Sequence, residues 1–246
     1  GNFFKSYRTL NEAQKAYRRY DKVLFVSEYG KQVFKEKTGW TDLSLDVCHN
    51  VVNVDEIRSK SKESISLELS PSKLNLCSIG RLTEVKGYVR LVRILGDLKN
   101  KVKLDWNLYI LGQGEQKQLI ESTIVEYGLQ DSVHLLGYDI NPYKYVGKMD
   151  MFICSSYKEG YSTAVTESIV AGTPVLTTDC SGMSEIFGDS NAGIIVENSD
   201  EGLKAVLEDL LNGEIDVEEL KKNAIERSNY FSQSNIKEFE DVINEI

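Results

Sequence analysis

Histidine and cysteine are scarce in this chain, with only His49 and His134, and Cys48, Cys77, Cys154 and Cys180, among 246 residues. A tetrahedral metal site needs clustered His or Cys ligands, and no such cluster is written here. The cysteines show no close pairing, and Cys77 and Cys154 sit inside apolar runs. Buried reduced thiols are therefore expected in place of a disulfide framework. No stretch approaches the ~18 consecutive apolar residues of a membrane span, and the N-terminus lacks the apolar core of a signal peptide. These absences predict a cytoplasmic protein. Positive charge is short as well: 29 bases against 38 acids leave a net charge of −9, the opposite of the cationic footprint that nucleic acid requires. Internal repeats and low-complexity tracts are absent. With 41% apolar and 27% charged residues, disordered and collagen-like classes are excluded.

The charge is unevenly spread. Residues 1–22 hold six bases (Lys5, Arg8, Lys15, Arg18, Arg19, Lys22) and two acids (Glu12, Asp21), a local +4 that leaves −13 for the remainder. Phe3, Phe4, Tyr7, Tyr17 and Tyr20 are interleaved with those bases. Such a segment could lie on an anionic membrane surface, at the inner face of the plasma membrane, or face another part of the protein. An ordinary amphipathic helix with solvated charges reads equally well.

Short β-branched runs recur along the chain: KVLFVS (22–27), KLNLCSIG (73–80), WNLYILG (106–112), SVHLLG (132–137), DMFICSS (150–156), PVLTT (174–178) and AGIIVE (192–197). Most are apolar at consecutive positions, the pattern of parallel strands covered on both faces. Helical patterns lie between them, for example over 87–100 and 115–129. Alternating strand and helix with short connections predicts an α/β fold, a doubly wound parallel sheet. The last six of these strands form one continuous unit. Acidic helices are expected after it, near 199–212, 216–228 and 234–245.

The domain expectation follows. Residues 1–52 hold a helix, one strand, a second helix (29–38) and a short strand near LDVCHNVV. So apolar a strand with no visible sheet of its own suggests the tail of another domain. Residues 53–72 are polar and Ser-rich, a linker or an exposed helix with a loop. Residues 73–230 form the main sheet domain, and residues 231–246 a terminal helix.

Three motifs carry chemistry. In IGRLTEVKGYVRL (79–91), Gly80 and Arg81 leave a buried strand and Lys86-Gly87 opens a helix. Ligands of open α/β sheets bind beyond the carboxyl ends of the strands, and helix N-termini there favour anions. Arg81 and Lys86 would add a planar fork and a point charge suited to a diphosphate; two solvated bases flanking a turn are the plain alternative. LGQGEQ (111–116) lacks the GxGxxG spacing of a dinucleotide site, so its glycines are expected to serve a tight turn.

The third motif, KEGYSTAVTESIVAGTPVLTTDCSG (158–182), places Glu159 in a strand-to-helix loop beside Gly160, with Ser162 or Thr163 as N-cap. At 100° per residue, Val165, Ser168, Ile169 and Gly172 share the core face and Glu167 lies roughly opposite, where a plain solvated glutamate also belongs. Helical side chains lean toward the N-terminus, so Glu167 reaches toward the loop of Glu159. Each carboxylate can accept from two adjacent hydroxyls, as a vicinal diol presents them. A sugar at Glu159, a diphosphate at Arg81 and Lys86, and a ribose at Glu167 would fit. A glycosidase is the rival user of paired carboxylates, but it has no need of two phosphate-directed bases.

GRLTEVKG, then EGYSTAVTE with its E-x7-E spacing, then AGTPVLTTDCSGMSEIFG resemble, in that order, the C-terminal nucleotide-sugar-binding domain of glycosyltransferase family 4. LGYDINPYKYV (136–146) is similar to the segment that holds the nucleotide base in relatives acting on surface polysaccharides. The resemblance covers residues 20–246. It implies the GT-B fold, two Rossmann-like domains with the active site between them, and a retaining, metal-independent enzyme with no cofactor beyond its nucleotide-sugar co-substrate. It places Arg81 and Lys86 on the donor diphosphate, Glu159 on the sugar and Glu167 on the ribose. The loop at Gly160, Tyr161, Ser162 and Thr163 would offer backbone amides to sugar and phosphate, Gly80 would line the donor, and Tyr138 with neighbouring backbone would contact the base. Ser181-Gly182 and Glu185 match the next helix start, where capping is an equal reading.

The resemblance further implies transfer of a hexosyl group, from a UDP-sugar, to a glycan or lipid-linked acceptor, in surface polysaccharide or glycoconjugate synthesis. Residues 1–52 would be the remnant of the acceptor domain, on which residues 231–246 would pack back, and the chain alone would transfer negligibly. A nucleotide-sugar-binding module without activity and a non-hydrolysing sugar-nucleotide epimerase are the alternatives. A dinucleotide oxidoreductase ranks last for want of the glycine fingerprint.

Overall fold

The structure is a computed structural model in which residues 5–244 are described. Phe3 and Phe4 of the basic aromatic stretch, and residues 245–246 of the terminal helix, lie outside the described residues. The chain opens with α1 (Leu10–Tyr17), β1 (Val23–Phe25), α2 (Glu28–Thr38) and β2 (Leu45–Val47). β1 and β2 pair in parallel as a two-stranded sheet. Phe25, Phe34 and Val47 form a small core of their own, with Tyr17 and Trp40 against it. Thr9 and Ser27 cap their helices through side-chain oxygens that accept backbone N–H groups.

Helix α3 (Val54–Lys60) follows. The polar stretch expected as a linker, or as an exposed helix with a loop, therefore begins with a helix that is packed. Val54 and Ile57, three positions apart, share one face and are buried in the same core as α7 (Thr163–Val170). Two apolar anchors in a polar segment suffice to dock it.

The main unit alternates strand and helix: β3 (Leu74–Ile79), α4 (Tyr88–Leu98), β4 (Trp106–Leu111), α5 (Lys117–Glu126), β5 (Val133–Gly137), α6 (Tyr143–Val146), β6 (Met151–Cys154), α7, β7 (Val175–Thr178), α8 (Met183–Phe187), β8 (Gly193–Val196), α9 (Asp200–Leu211) and α10 (Val217–Asn244). The six strands from β3 to β8 pair in parallel in the order β5-β4-β3-β6-β7-β8. Counted from its own first strand, this is the doubly wound 3-2-1-4-5-6 arrangement, whose direction of winding reverses between β3 and β6.

Side chains alternate across the sheet, and both faces are covered. Leu76, Leu108, Ile110, Met151 and Ile153 meet α4, α5 and α9 on one side. Cys77, Tyr109, Phe152, Cys154 and Val175 meet α3, α7, α8 and α10 on the other. That double cover is why these strands read as unbroken apolar runs. Cys77 and Cys154 are free and buried, and burial pushes both thiols up from their ordinary pKa.

Two sequence expectations change. The acidic helices expected at 216–228 and 234–245 are one helix, α10. Residues 229–233 contain neither Gly nor Pro, and Ala224, Ser228 and Phe231 bury one side of α10. The boundary expected at residue 230 thus falls inside a continuous element. The glycines of LGQGEQ serve close approach more than a tight turn: a Cβ on Gly112 would lie 1.9 Å from the Gly80 carbonyl oxygen, and one on Gly114 2.4 Å from that of Leu82. They press the exit of β4 onto the exit of β3. No described helix is long and apolar enough to cross a membrane.

Candidate functional site

The β3–α4 and β6–α7 loops flank the point where the sheet reverses its winding. The first carries Arg81 and, on a single 3₁₀ turn (Glu84–Lys86), Lys86. The second carries Glu159. Lys86 Nζ donates to Glu159 Oε1 at 2.7 Å, and Ser156 Oγ donates to the same oxygen at 2.6 Å. Both side chains are largely sheltered, 22% and 12% exposed. These bonds use only one carboxylate oxygen, so Oε2 can face a ligand.

Two hollows open on this edge. One, of about 580 Å³, is lined by Arg81, Lys86, Lys158, Glu159 and Gly160 on one wall and by Val26, Tyr29 and Val33 of the N-terminal segment on the other. The second, of about 270 Å³, lies between Gly80, Gly112, Gln113, Tyr138 and Pro142, with Ile79 and Leu111 behind. Arg81 lines both and so joins them. The second hollow owes its far wall to a register shift: Ile110 pairs with Leu135 but Leu111 with Gly137, so Leu136 is skipped and the chain leaves β5 at an angle. Asp139 then anchors the loop by accepting from Lys144 Nζ at 2.8 Å and from the Asn141 amide at 2.8 Å. Those bonds hold its carboxyl below the usual carboxylate range, the Lys144 bond being the larger cause.

The residues expected from the sequence are placed as follows. Arg81, Lys86, Glu159 and Gly160 share one cleft, and Gly80 and Tyr138 line the adjoining one, Tyr138 being 70% exposed. Ser162 is the N-cap of α7, its Oγ accepting from the Val165 amide; its side chain is buried in that task. Thr163 begins α7 and is exposed. The Tyr161 side chain is 5% exposed and its ring packs on His49, centroids 4.8 Å apart, with its carbonyl accepting from Asn50 Nδ2. Only its backbone stays beside the cleft, because an aromatic ring next to a glycine turn finds more apolar contact in the core than in an open cleft.

Glu167 lies outside the walls of both hollows. It is half-buried instead of solvated, and Tyr143 Oη donates to it at 3.1 Å. Pro142, next to Tyr143, lines the second hollow, and the Tyr143 bond uses one Glu167 oxygen, Oε1. Burial raises the Glu167 carboxyl pKa, and burial with the Glu167 charge pushes Tyr143 up to about 12. A raised folded-state value means that the folded chain binds this proton more tightly than the unfolded chain, whose glutamate titrates near 4.5. Stability from this group is therefore present below about 4.5 and is lost as pH rises through the folded value. Glu167→Gln, which keeps the acceptor for Tyr143, is expected to melt above the wild type at neutral pH by calorimetry. The gap should close in acid; an equal gap at both ends would refute the sign.

Sequence reasoning missed Arg90, and it did not foresee the partners of Glu185. Arg90 of α4 is 4% exposed and bonds the Ser155 and Ser156 carbonyls. Glu185, matched to the next helix start with capping an equal reading, accepts from the amides of Glu28 and Tyr29 at the start of α2 and lies 2.9 Å from His49 Nε2. It ties the N-terminal segment to the main sheet. For Arg90 the available signal is its spacing: it stands four positions before Ile94, apolar and buried, on the same helix face. For Glu185 no local signal existed.

Comparison with known proteins agrees with this geometry. Residues 59–227 match the family of glycosyl transferases group 1. The chain is 38% identical over 170 residues to the N-acetylgalactosamine-N,N'-diacetylbacillosaminyl-diphospho-undecaprenol 4-alpha-N-acetylgalactosaminyltransferase of Campylobacter jejuni subsp. jejuni, covering 67% of this chain and 44% of that relative. The match thus spans less than half of the relative's length. Among solved structures, Anabaena Alr3699/HepE in complex with UDP superposes with a TM-score of 0.78 at 15% identity, over 96% of this chain and 67% of that one. A variant of S. aureus TarM, solved with fondaparinux, alpha-GlcNAc-glycerol and UDP, superposes with a TM-score of 0.77 at 18% identity, over 99% and 48%. The winding of the sheet, the match across its length and these superpositions converge: this chain belongs to the glycosyl transferases group 1 family and has a GT-B glycosyltransferase fold.

Proposed function

We propose that this chain is the donor-binding half of a retaining glycosyltransferase of family 4 that takes a UDP-hexose and needs no metal ion. The observation that carries the reading is the Lys86–Glu159 pair, 2.7 Å apart across the crevice between the exits of β3 and β6, with Arg81 in the same cleft. The diphosphate lies along Arg81 and Lys86, whose charges meet its own. The base enters the hollow at Gly80, Gly112 and Tyr138, backed by apolar Ile79 and Leu111. The ribose hydroxyls turn toward Glu167, and the hexose hydroxyls bond the open oxygen of Glu159. Backbone groups of Gly160, Tyr161, Ser162 and Thr163 border the sugar and phosphate.

In the reaction, the bond between the anomeric carbon and the β-phosphate oxygen breaks, and its electron pair leaves with the diphosphate. The acceptor hydroxyl oxygen bonds the anomeric carbon on the same face, and its proton passes to a leaving phosphate oxygen. The configuration is kept and no protein base is required. Charge grows on the diphosphate in the transition state, where preorganised cations act most strongly. Arg81 and Lys86 would supply that stabilisation.

The relatives support an acceptor in glycan chemistry. The Campylobacter relative is named for transfer onto a sugar-diphospho-undecaprenol, so we assign this chain a glycan or lipid-linked acceptor, met at the wall of Val26, Tyr29 and Val33, in surface polysaccharide synthesis. In this reading residues 1–52 belong to the acceptor side, and the protein works in the cytoplasm, against the membrane where its acceptor is lipid-linked.

Calorimetric titration with UDP and with a UDP-hexose tests the reading. Glu167→Ala is expected to weaken both ligands about 10-fold, the loss of one charged hydrogen-bond acceptor. Glu159→Ala should weaken the UDP-hexose by a similar factor and leave UDP nearly unchanged. Equal losses for both ligands in both variants would refute this division, and a wild-type chain that ignores UDP would refute the reading itself.

A further inference from the structure

The loops that carry Lys86 and Glu159 rest on one buried guanidinium. Arg90 lies in the first turn of α4 and is 4% exposed, an unusual depth for a charged side chain. Its Nε donates to the Ser155 carbonyl at 2.9 Å, and its Nη2 to the Ser156 carbonyl at 3.1 Å and to Asn198 Oδ1 at 3.0 Å. The Tyr157 ring covers the guanidinium carbon at 3.9 Å, and Asp200 lies 3.6 Å from Nη1.

Each residue it holds passes the constraint on. Ser155 Oγ donates to the carbonyls of Lys86 and Gly87 at 3.0 and 3.2 Å. Ser156 Oγ donates to Glu159 at 2.6 Å. The Tyr157 amide donates to the Val85 carbonyl at 2.8 Å. Ser155 thus bonds Lys86, Ser156 bonds Glu159 and Tyr157 bonds the residue before Lys86, and all three touch Arg90. A planar fork can join two successive carbonyls and a third acceptor at fixed angles, which a lysine ammonium cannot do.

The structure assigns Arg90 a positioning role: it sets where Lys86 and Glu159 meet, without touching a ligand. Its consequence for ligand binding rests on the donor reading above; its consequence for the loop does not. Two variants of this chain separate these. Arg90→Lys keeps the charge and loses the fork. Asn198→Ala removes an outer partner in a surface loop and serves where Arg90→Lys does not fold.

In either variant, amide exchange measured by mass spectrometry is expected to rise about 10-fold over residues 155–162 and to stay constant in α5. Affinity for UDP, whose second phosphate needs Lys86, should fall about 10-fold, while UMP stays within about 2-fold. Unchanged exchange over 155–162, or equal weakening of UDP and UMP, would overturn the assignment. If the wild type binds neither nucleotide yet the exchange rises as stated, the positioning of the pair stands and the donor reading falls.

Discussion

A Lys86→Ala chain is expected to bind UDP about 100-fold more weakly than the wild type, roughly 2.8 kcal/mol. Two effects add. In the proposed donor site the variant loses a charge-assisted bond to the diphosphate, worth about 1.5–3 kcal/mol. It also strips Glu159, whose side chain is only 12% exposed, of its cation, so that an unpaired carboxylate faces the incoming phosphates. Arg81 is exposed and has no side-chain partner among the described residues, so it cannot replace a sheltered point charge. Raising the salt concentration should narrow the difference only slightly, since screening acts least on sheltered pairs. Titration of both chains with UDP checks this; a loss under about 3-fold would remove Lys86 from the phosphate site.

The second large effect falls on the fold. Gly87→Ala should lower the unfolding free energy by about 3 kcal/mol, a large share of the roughly 5–15 kcal/mol of a typical domain. Gly87 has φ +68, and a Cβ there would lie 2.1 Å from the Ser155 carbonyl oxygen. A left-handed conformation costs a non-glycine residue about 1–2 kcal/mol by itself. The clash adds more, because the carbonyl it strikes is held in place by Arg90. Gly39→Ala is the control. Its φ is +63, and a Cβ would meet nothing within 4 Å, so it should cost only the conformational part. Urea unfolding of both variants measures the difference. Equal losses would mean that the β6 exit moves aside, and that the two loops are not clamped together.

The two predictions meet at one place, since Gly87 allows the close contact of loops that Lys86 uses. Substitutions at Gly87 should therefore also weaken UDP in any molecules that remain folded, through displacement of the Lys86 turn.

Much of this was legible beforehand, and for identifiable reasons. β4 reads WNLYIL and is buried along its whole length, so its periodicity announced a strand covered on both faces. Ser162 as a cap and Gly160 in a loop follow from local side-chain chemistry. Lys86 and Glu159 could be singled out as residue types at strand exits. Tyr161 could not be oriented, because its ring packs on His49, more than a hundred positions earlier in the chain. Arg90 was passed over, because an arginine on a helix ordinarily keeps its head in water. The single helix α10 was split in expectation by a polar stretch that burial of Phe231 overrides.

By itself the sequence determined the alternation of strand and helix, the two-sided burial of the strands, and the loops rich in glycine, bases and acids at strand exits. Each of these depends on neighbours within a few residues. Only the tertiary structure decided that the exits of β3 and β6 are adjacent, so that Lys86 meets Glu159 across 73 positions, and that Glu167 accepts from Tyr143. Strand order arises from the handed packing of whole crossovers onto a twisted sheet. Side-chain direction arises from competition for buried space, and no local pattern carries either.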